Sequence, residues 1–567
     1  MTGRWLTRFA VIVASTAIAG CGGDASTESA PPAAAHASAT KNQTNPTPRD
    51  QVRDGGTFTW AINDMPPNFN YNQLDGTVRS ASYILEALMP VTFTNDATAT
   101  PHWNPDILAA EPTVVTDPKQ VVTFQINPKA IWDDGTPITW EDFYWQWRAS
   151  NGTDKRYQVS GTTGFEDIES VERGKDDREV VVTFTRKFAD WQSIYYLFYP
   201  ASTNKDPNIF NNGWKERPLT TAGPFKLGSI NQTSKTITLV RNEKWWGAPA
   251  KVESIVYRFI EPDAQIDAIA NGEIDAMDIG PDVNTYNRAS NIEGVEIRRA
   301  GGPNFRHITF NGTTPILRDL NVRLALAAGI DRTTITRALL GPLGVPPQPL
   351  GNHIFMANQV GYRDNSTGVA RYDPDKAKTL LDEAGWKLDG RVRKKGGKTL
   401  SLRLVIPSGV AAARQESELI QNMLAQIGAE VQIDTVPVSD FFDKYVTPGQ
   451  FDLTIFSWLG TPYPIGSSKS IYAKPQPAPG GGESIQQNYA RIGSDALDDL
   501  FTRANGELDH AKAIEIANQA DTMIWQEVHS LTLYQRPELI AVKKNLVNFG
   551  AFGFALPWVY QDIGWKK

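Results

Sequence analysis

The chain has 567 residues, 41% hydrophobic and 21% charged, with a formal net charge of −7, six histidines and a single cysteine. This balance argues against nucleic acid and anionic lipid surfaces as partners. One cysteine excludes an internal disulfide framework and any cysteine-rich zinc site. The histidines (His36, His102, His307, His353, His510 and His529) form no His-x-x-x-His pair, so neither a metal nor a cofactor is expected.

The first twenty residues carry Arg4 and Arg8, then an apolar run over 9–19, then Gly20 and Cys21. This is the pattern of a secretory leader, and the run is shorter than the roughly 20 residues that span a bilayer. Small residues leading into the cysteine resemble the lipobox of bacterial lipoproteins. That resemblance implies cleavage before Cys21 and lipid attachment to it, on the outer face of a bacterial cytoplasmic membrane. Residues 21–53 are rich in Ala, Ser, Thr, Pro and Asn, and bury too little apolar area to offset ordering, so a disordered tether is expected.

The body opens with an alternating strand over 57–62, and further strands are expected over 121–126, 179–185, 236–240 and 253–260. Helical spacing follows over 319–330 and 331–340, the second capped by Asp331. Asp373 and Pro374 open another helix, stopped by Gly385. A strand over 402–406, a helix over 416–427 and a strand over 430–436 predict parallel pairing, and 451–458 reads as a buried strand. The Pro/Gly-rich stretch 474–483 reads as a mobile surface loop. More than 500 residues exceed one hydrophobic core, so at least two lobes are expected.

Catalytic signatures are missing. Gly397-Lys398-Thr399 lacks the upstream glycine of a phosphate loop, and no Gly-x-Ser-x-Gly or His-Glu-x-x-His occurs. No enzyme activity is expected.

Four segments, in order, carry a family resemblance: Trp132 to Asp142 (WDDGTPITWED); Thr221 to Phe225 with Arg241 to Trp246; Asn321 to Arg332 (NVRLALAAGIDR); and Tyr372 to Trp386. Together they resemble the extracellular solute-binding proteins of family 5, the oligopeptide- and dipeptide-binding lipoproteins of peptide-type ABC importers. The resemblance runs over about residues 55–540. It implies a two-lobed α/β fold of the periplasmic-binding-protein type (class II, cluster C), with an extra subdomain in the N-terminal lobe. The boundaries expected are 1–20 leader, 21–53 tether, 54–307 N-terminal lobe with the subdomain at about 80–186, 308–529 C-terminal lobe, and 530–567 completing the N-terminal lobe.

By the same resemblance, the end of the strand over 451–458 lines an interlobe cleft and binds peptide main chain. Ser457, Trp458, Gly460, Thr461 and Tyr463 are the candidates there. Asn63, Phe69 and Asn70 after the first strand, and Asn311 and Tyr534 near the lobe crossings, are further candidates. Relatives carry an Asp after the tryptophan, pairing with the ligand's α-ammonium. Here Thr461 stands in its place, so either another acid such as Asp64 takes the role or the ligand lacks a free amino terminus.

The expectation is a monomeric lipoprotein capturing oligopeptides or peptide-like solutes for an ABC permease. A cell-envelope lipoprotein of the same fold that regulates or scaffolds glycolipid assembly is the alternative.

Overall fold

The computed structural model describes residues 42–478, 482–555 and 558–567; the leader and Cys21 lie outside them. A ten-stranded sheet forms the spine. Its strands in chain order are β1 (Thr57–Ile62), β2 (Phe225–Asn231), β3 (Thr236–Arg241), β4 (Ser254–Phe259), β5 (Ala276–Asp278) and β6 (Val295–Phe310). They continue with β7 (Ser401–Pro407), β8 (Glu430–Val436), β9 (Leu453–Trp458) and β10 (Ser530–Lys543). Across the sheet the order is β8-β7-β9-β6-β10-β5-β1-β4-β3-β2.

The two ends of this order are the two lobes of an α/β fold. In one, β1 lies parallel between β4 and β5. Its inward residues Phe58 and Trp60 are buried on the alternation the sequence predicts. In the other, β7 pairs in parallel with β8 and β9, and the helix Ala411–Ala425 makes the crossover. That helix starts five residues before its expected beginning, because Ala411, Ala412 and Ala413 are strong helix formers. The caps are as read. Asp319, Asp331 and Asp373 accept backbone hydrogen bonds at their helix starts, and Gly385 takes the left-handed φ of +84° that ends the last helix.

β6 and β10 join the lobes. They are 16 and 14 residues long and run antiparallel from Val295 opposite Lys543 to Thr309 opposite Ser530. Near 3.4 Å per residue, β6 spans about 50 Å. Its first third pairs with the part of β10 beside β5, and its last third pairs with β9. The register breaks between Gly301 and Phe305. There Pro303 has no N–H to give the ladder, and two glycines soften the backbone.

A four-stranded antiparallel sheet (Thr113–Val115, Val121–Gln125, Glu179–Phe184, Ile168–Arg173) sits apart from the spine. The helix Trp140–Ser150 packs on it, opened by a capping box between Thr139 and Asp142. The core of the first lobe is aromatic: the Trp60 ring lies 4.0 Å from Tyr83, 4.9 Å from Phe549 and 5.2 Å from Trp558. Phe549 and Trp558 come from beyond β10, so the last residues of the chain complete that core. The second lobe has its own aliphatic core around Leu326, Leu404, Leu424 and Ile455.

Two expectations need correction. Residues 42–53 are ordered, not part of a free tether. Val52 and Arg53 pair with Lys566 and Trp565, the Thr47 N–H donates to Asn548 Oδ1 at 2.7 Å, and Arg49 forms an ion pair with Asp562. Composition counts only apolar burial; here main-chain groups find an open sheet edge and the buried Val52 follows. The described flanks of the loop over 474–483 are also more regular than expected, with Gln476 and Pro477 paired to Ser484 and Glu483.

Candidate functional site

One cavity lies between the lobes, enclosing about 1290 Å³ of empty space with its open mouth included. The first lobe contributes the helix Arg79–Leu88 through Arg79, Ser82 and Glu86, together with Tyr71 and Tyr196. The second contributes the turn leaving β9, residues 459–463, and the helix Pro464–Tyr472 through Gly466, Ser467 and Ser470. Among the described residues, the C-terminal-lobe wall carries no charged side chain, and Arg79 and Glu86 are the only charged residues lining the cavity.

Those two sit seven residues apart, two turns on one helix face, about 10.5 Å along its axis. The Arg79 Nε–H donates to the Tyr83 hydroxyl at 2.7 Å, and its guanidinium lies 4.6 Å from the Tyr83 ring centre. Burial alone would lower its pKa, but Tyr83, Glu538 and Glu86 outweigh that and hold it firmly cationic. Glu86 accepts from the Tyr196 hydroxyl at 2.5 Å and from the Trp558 N–H at 3.4 Å. Burial pushes its carboxyl up to about 7, against Tyr196 and Arg79, which favour the ionised form.

Contacts beside the cavity join the two lobes. Lys469, from the second lobe, forms an ion pair with Glu166 of the first, which also accepts from the Thr162 hydroxyl at 2.6 Å. Burial would raise the Glu166 pKa; the Lys469 ammonium, Thr162 and Arg186 more than offset it and hold it below the usual carboxylate value. Asp190 of the first lobe accepts from the Gly466 N–H at the start of the helix Pro464–Tyr472, and its burial pushes it up to about 6. The Tyr463 hydroxyl meets the Asn95 side chain, and the Ala189 N–H donates to the Asn505 carbonyl at 2.8 Å.

Of the ten ligand candidates, Gly460, Thr461 and Tyr463 line this cavity. A Cβ at Gly460 would lie 2.2 Å from the Pro303 carbonyl oxygen, so only glycine lets the turn rest on the break in β6. The Thr461 hydroxyl accepts from the Tyr463 N–H at 3.1 Å. Trp458 stands behind the wall, stacked on His307 at 5.6 Å and on Tyr489 at 5.5 Å. Ser457 is a ladder residue opposite Arg306.

The other five also lie outside the cavity lining, and each has an internal partner. Asn63 accepts from Gln265 at 2.8 Å, the buried Phe69 offers its carbonyl to Tyr199 at 3.0 Å, and Asn70 donates to the Phe210 carbonyl at 3.0 Å. Asn311 ties the carbonyls of Gly449 and Phe451, and Tyr534 donates to Glu416, itself paired with Arg306. Asp64, the spare acid, is pushed up to about 6 by burial and also lies outside the lining.

Glu86, Arg79, Tyr196, Glu166 and Lys469 escaped the sequence reading. The signal available was a pair of opposite charges, seven apart, in an otherwise uncharged helix. Among the described residues no cluster of His, Cys, Asp or Glu could hold a metal, and no helix is long and apolar enough to cross a membrane.

The family model for bacterial extracellular solute-binding proteins, family 5, middle, matches residues 104–477. The oligopeptide-binding protein OppA of Mycobacterium tuberculosis is 39% identical over 520 residues, 91% of this chain and 86% of its own length. Among solved structures, the periplasmic EDTA-binding protein EppA matches with a TM-score of 0.79 at 25% identity, over 93% of this chain and 99% of that one. The oligopeptide-binding protein AppA of Bacillus subtilis, in complex with a nonapeptide, matches with a TM-score of 0.79 at 20% identity, over 91% and 100%. With a family model over most of the body and a relative this similar along nearly all of it, the chain belongs to the bacterial extracellular solute-binding proteins of family 5.

Proposed function

We propose that this protein captures oligopeptides or peptide-like solutes in the interlobe cavity and hands them to a membrane ABC permease. The observation that carries the reading is the cavity itself, one wall from each lobe, with backbone-rich turns and small hydroxyl side chains facing the space. Such a wall can hydrogen-bond a peptide main chain while tolerating its side chains, as an added strand does. The break in β6 at Gly301 to Asn304 supplies a place for the lobes to pivot, and ligand favours the state in which both walls touch it. The protein binds as a monomer and performs no chemistry on its cargo. Cys21 carries the lipid that keeps it at the outer face of the cytoplasmic membrane.

The OppA relative and the AppA nonapeptide complex support this reading. Native mass spectrometry of protein purified from its own cells tests it. The expected result is a set of co-purifying peptides, released on unfolding. A cavity that holds only glycolipid, with no affinity for added peptides, would overturn transport in favour of the cell-envelope role.

A further inference from the structure

We infer that Glu86 is the receptor for the ligand's α-ammonium group, so the amino terminus of a bound peptide is read by the N-terminal lobe. This rests on the reading of the cavity as a peptide site.

A peptide with a free amino terminus brings a full positive charge into a space that walls from both lobes screen in part from water, and a charge left unpaired as it loses water is costly. Some anionic group must meet it. The wall formed by residues 459–463 offers only neutral groups, and the Thr461 hydroxyl already accepts from the Tyr463 N–H. Asp64 and Asp190 lie outside the lining. Glu86 is the sole acid among the described residues that line the cavity.

Glu86 is also underserved. Its two donors are the Tyr196 hydroxyl and a long contact from the Trp558 N–H, whereas a carboxylate has room for about four. No ion pair joins it to Lys, Arg or His among the described residues. Arg79, the nearest cation, is turned to Tyr83 and the Trp558 ring, with the charge of Glu538 a stronger influence on it than that of Glu86. A carboxylate left in this state at the edge of a cavity is completed by an arriving ammonium, through a charge-assisted hydrogen bond. The ionisable groups around Glu86 are Arg79, Tyr71, Tyr196, Tyr257 and Tyr560. The phenols stay neutral at physiological pH, so none of them substitutes as an anion.

The test is competitive partition. The whole protein is offered an equimolar mixture of a random tetra- to octapeptide library and its N-acetylated counterpart, both free of Lys, Arg and His. Bound species are counted by native mass spectrometry. At pH 7 the free-amine form should be enriched at least tenfold, and Glu86→Gln should reduce the enrichment to under twofold while still binding both forms. Should that variant not fold, pH provides a second route with the unaltered protein. A carboxyl poised near 7 is almost wholly protonated at pH 5, so free-amine enrichment should fall there to the level expected of Glu86→Gln, under twofold. Equal binding of the two forms, enrichment that survives Glu86→Gln, or enrichment that is flat between pH 5 and 7 would each overturn the assignment while leaving the peptide reading intact. Capture of neither library would defeat the peptide reading, and the assignment with it.

Discussion

Replacing Lys469 by Met should loosen the closed state without touching either core. The ammonium of Lys469 and the carboxylate of Glu166 meet beside the cavity, between the lobes, with side chains 13% and 26% exposed, so solvent screens the pair only partly. A hydrogen bond to a charged group contributes about 1.5–3 kcal/mol. Arg186 lies 3.9 Å from the same Glu166 oxygen and retains part of the attraction, which places the loss at the lower end, about 1.5 kcal/mol. That corresponds to about tenfold in the closing equilibrium, and it passes into the ligand dissociation constant because tight binding requires closure. Calorimetric titration with a bound peptide should show this weakening, and small-angle scattering should show a larger unliganded radius. Glu166→Gln combined with Lys469→Met should be no worse than the single change, as expected for two partners of one contact. Closure lowers the Glu166 pKa, so the latch is fully present above the ordinary carboxylate value and lost as pH falls through the lowered one. A dissociation constant within twofold of the parent for Lys469→Met would refute the latch.

Three further outcomes are expected. Trp458→Ala should destabilise the fold by about 3–5 kcal/mol in urea unfolding, because this ring is buried between His307 and Tyr489; an unchanged midpoint would contradict the packing. Glu416→Ala strands the Arg306 guanidinium and the Tyr534 hydroxyl in the interior and should cost about 3–5 kcal/mol, much of it recovered in the Arg306→Met, Glu416→Met double variant. A loss below about 1 kcal/mol in the single variant would show the pair to be dispensable. Cys21→Ser should move the protein from the membrane fraction to the soluble one; persistence on membranes would remove the lipid anchor.

How much of this was visible in the chain depends on distance along it. Local rules served well: Asp331 caps its helix, Gly385 ends another, and the alternation of Leu402, Leu404 and Ile406 marks a strand that pairs in parallel with 430–436. The two crossing strands were hidden because glycine and proline read as breaks. Gly301, Gly302 and Pro303 interrupt β6, and Pro537 sits within β10, yet both strands continue through. The site was harder still. Thr461 and Tyr463 were legible as the end of a buried strand, whereas Glu86 meets them only after more than 370 residues of chain have folded. Asn70, Asn311 and Tyr534 lie outside the cavity lining, their polar groups bonded to the protein's own backbone and side chains, which no local pattern in the sequence reveals.

The stitching of residues 42–53 has a mechanical consequence. Gln43 bonds to Arg299, Thr47 to Asn548, Arg49 to Asp562, and Val52 to the final strand, all on the jaw that holds Trp60. A pull applied at residue 42 therefore enters the fold through that jaw. Among the described residues, none of these bonds reaches the opposite jaw, with Lys469 and the turn after β9, so a pull entering at residue 42 is taken up on one side of the break in β6.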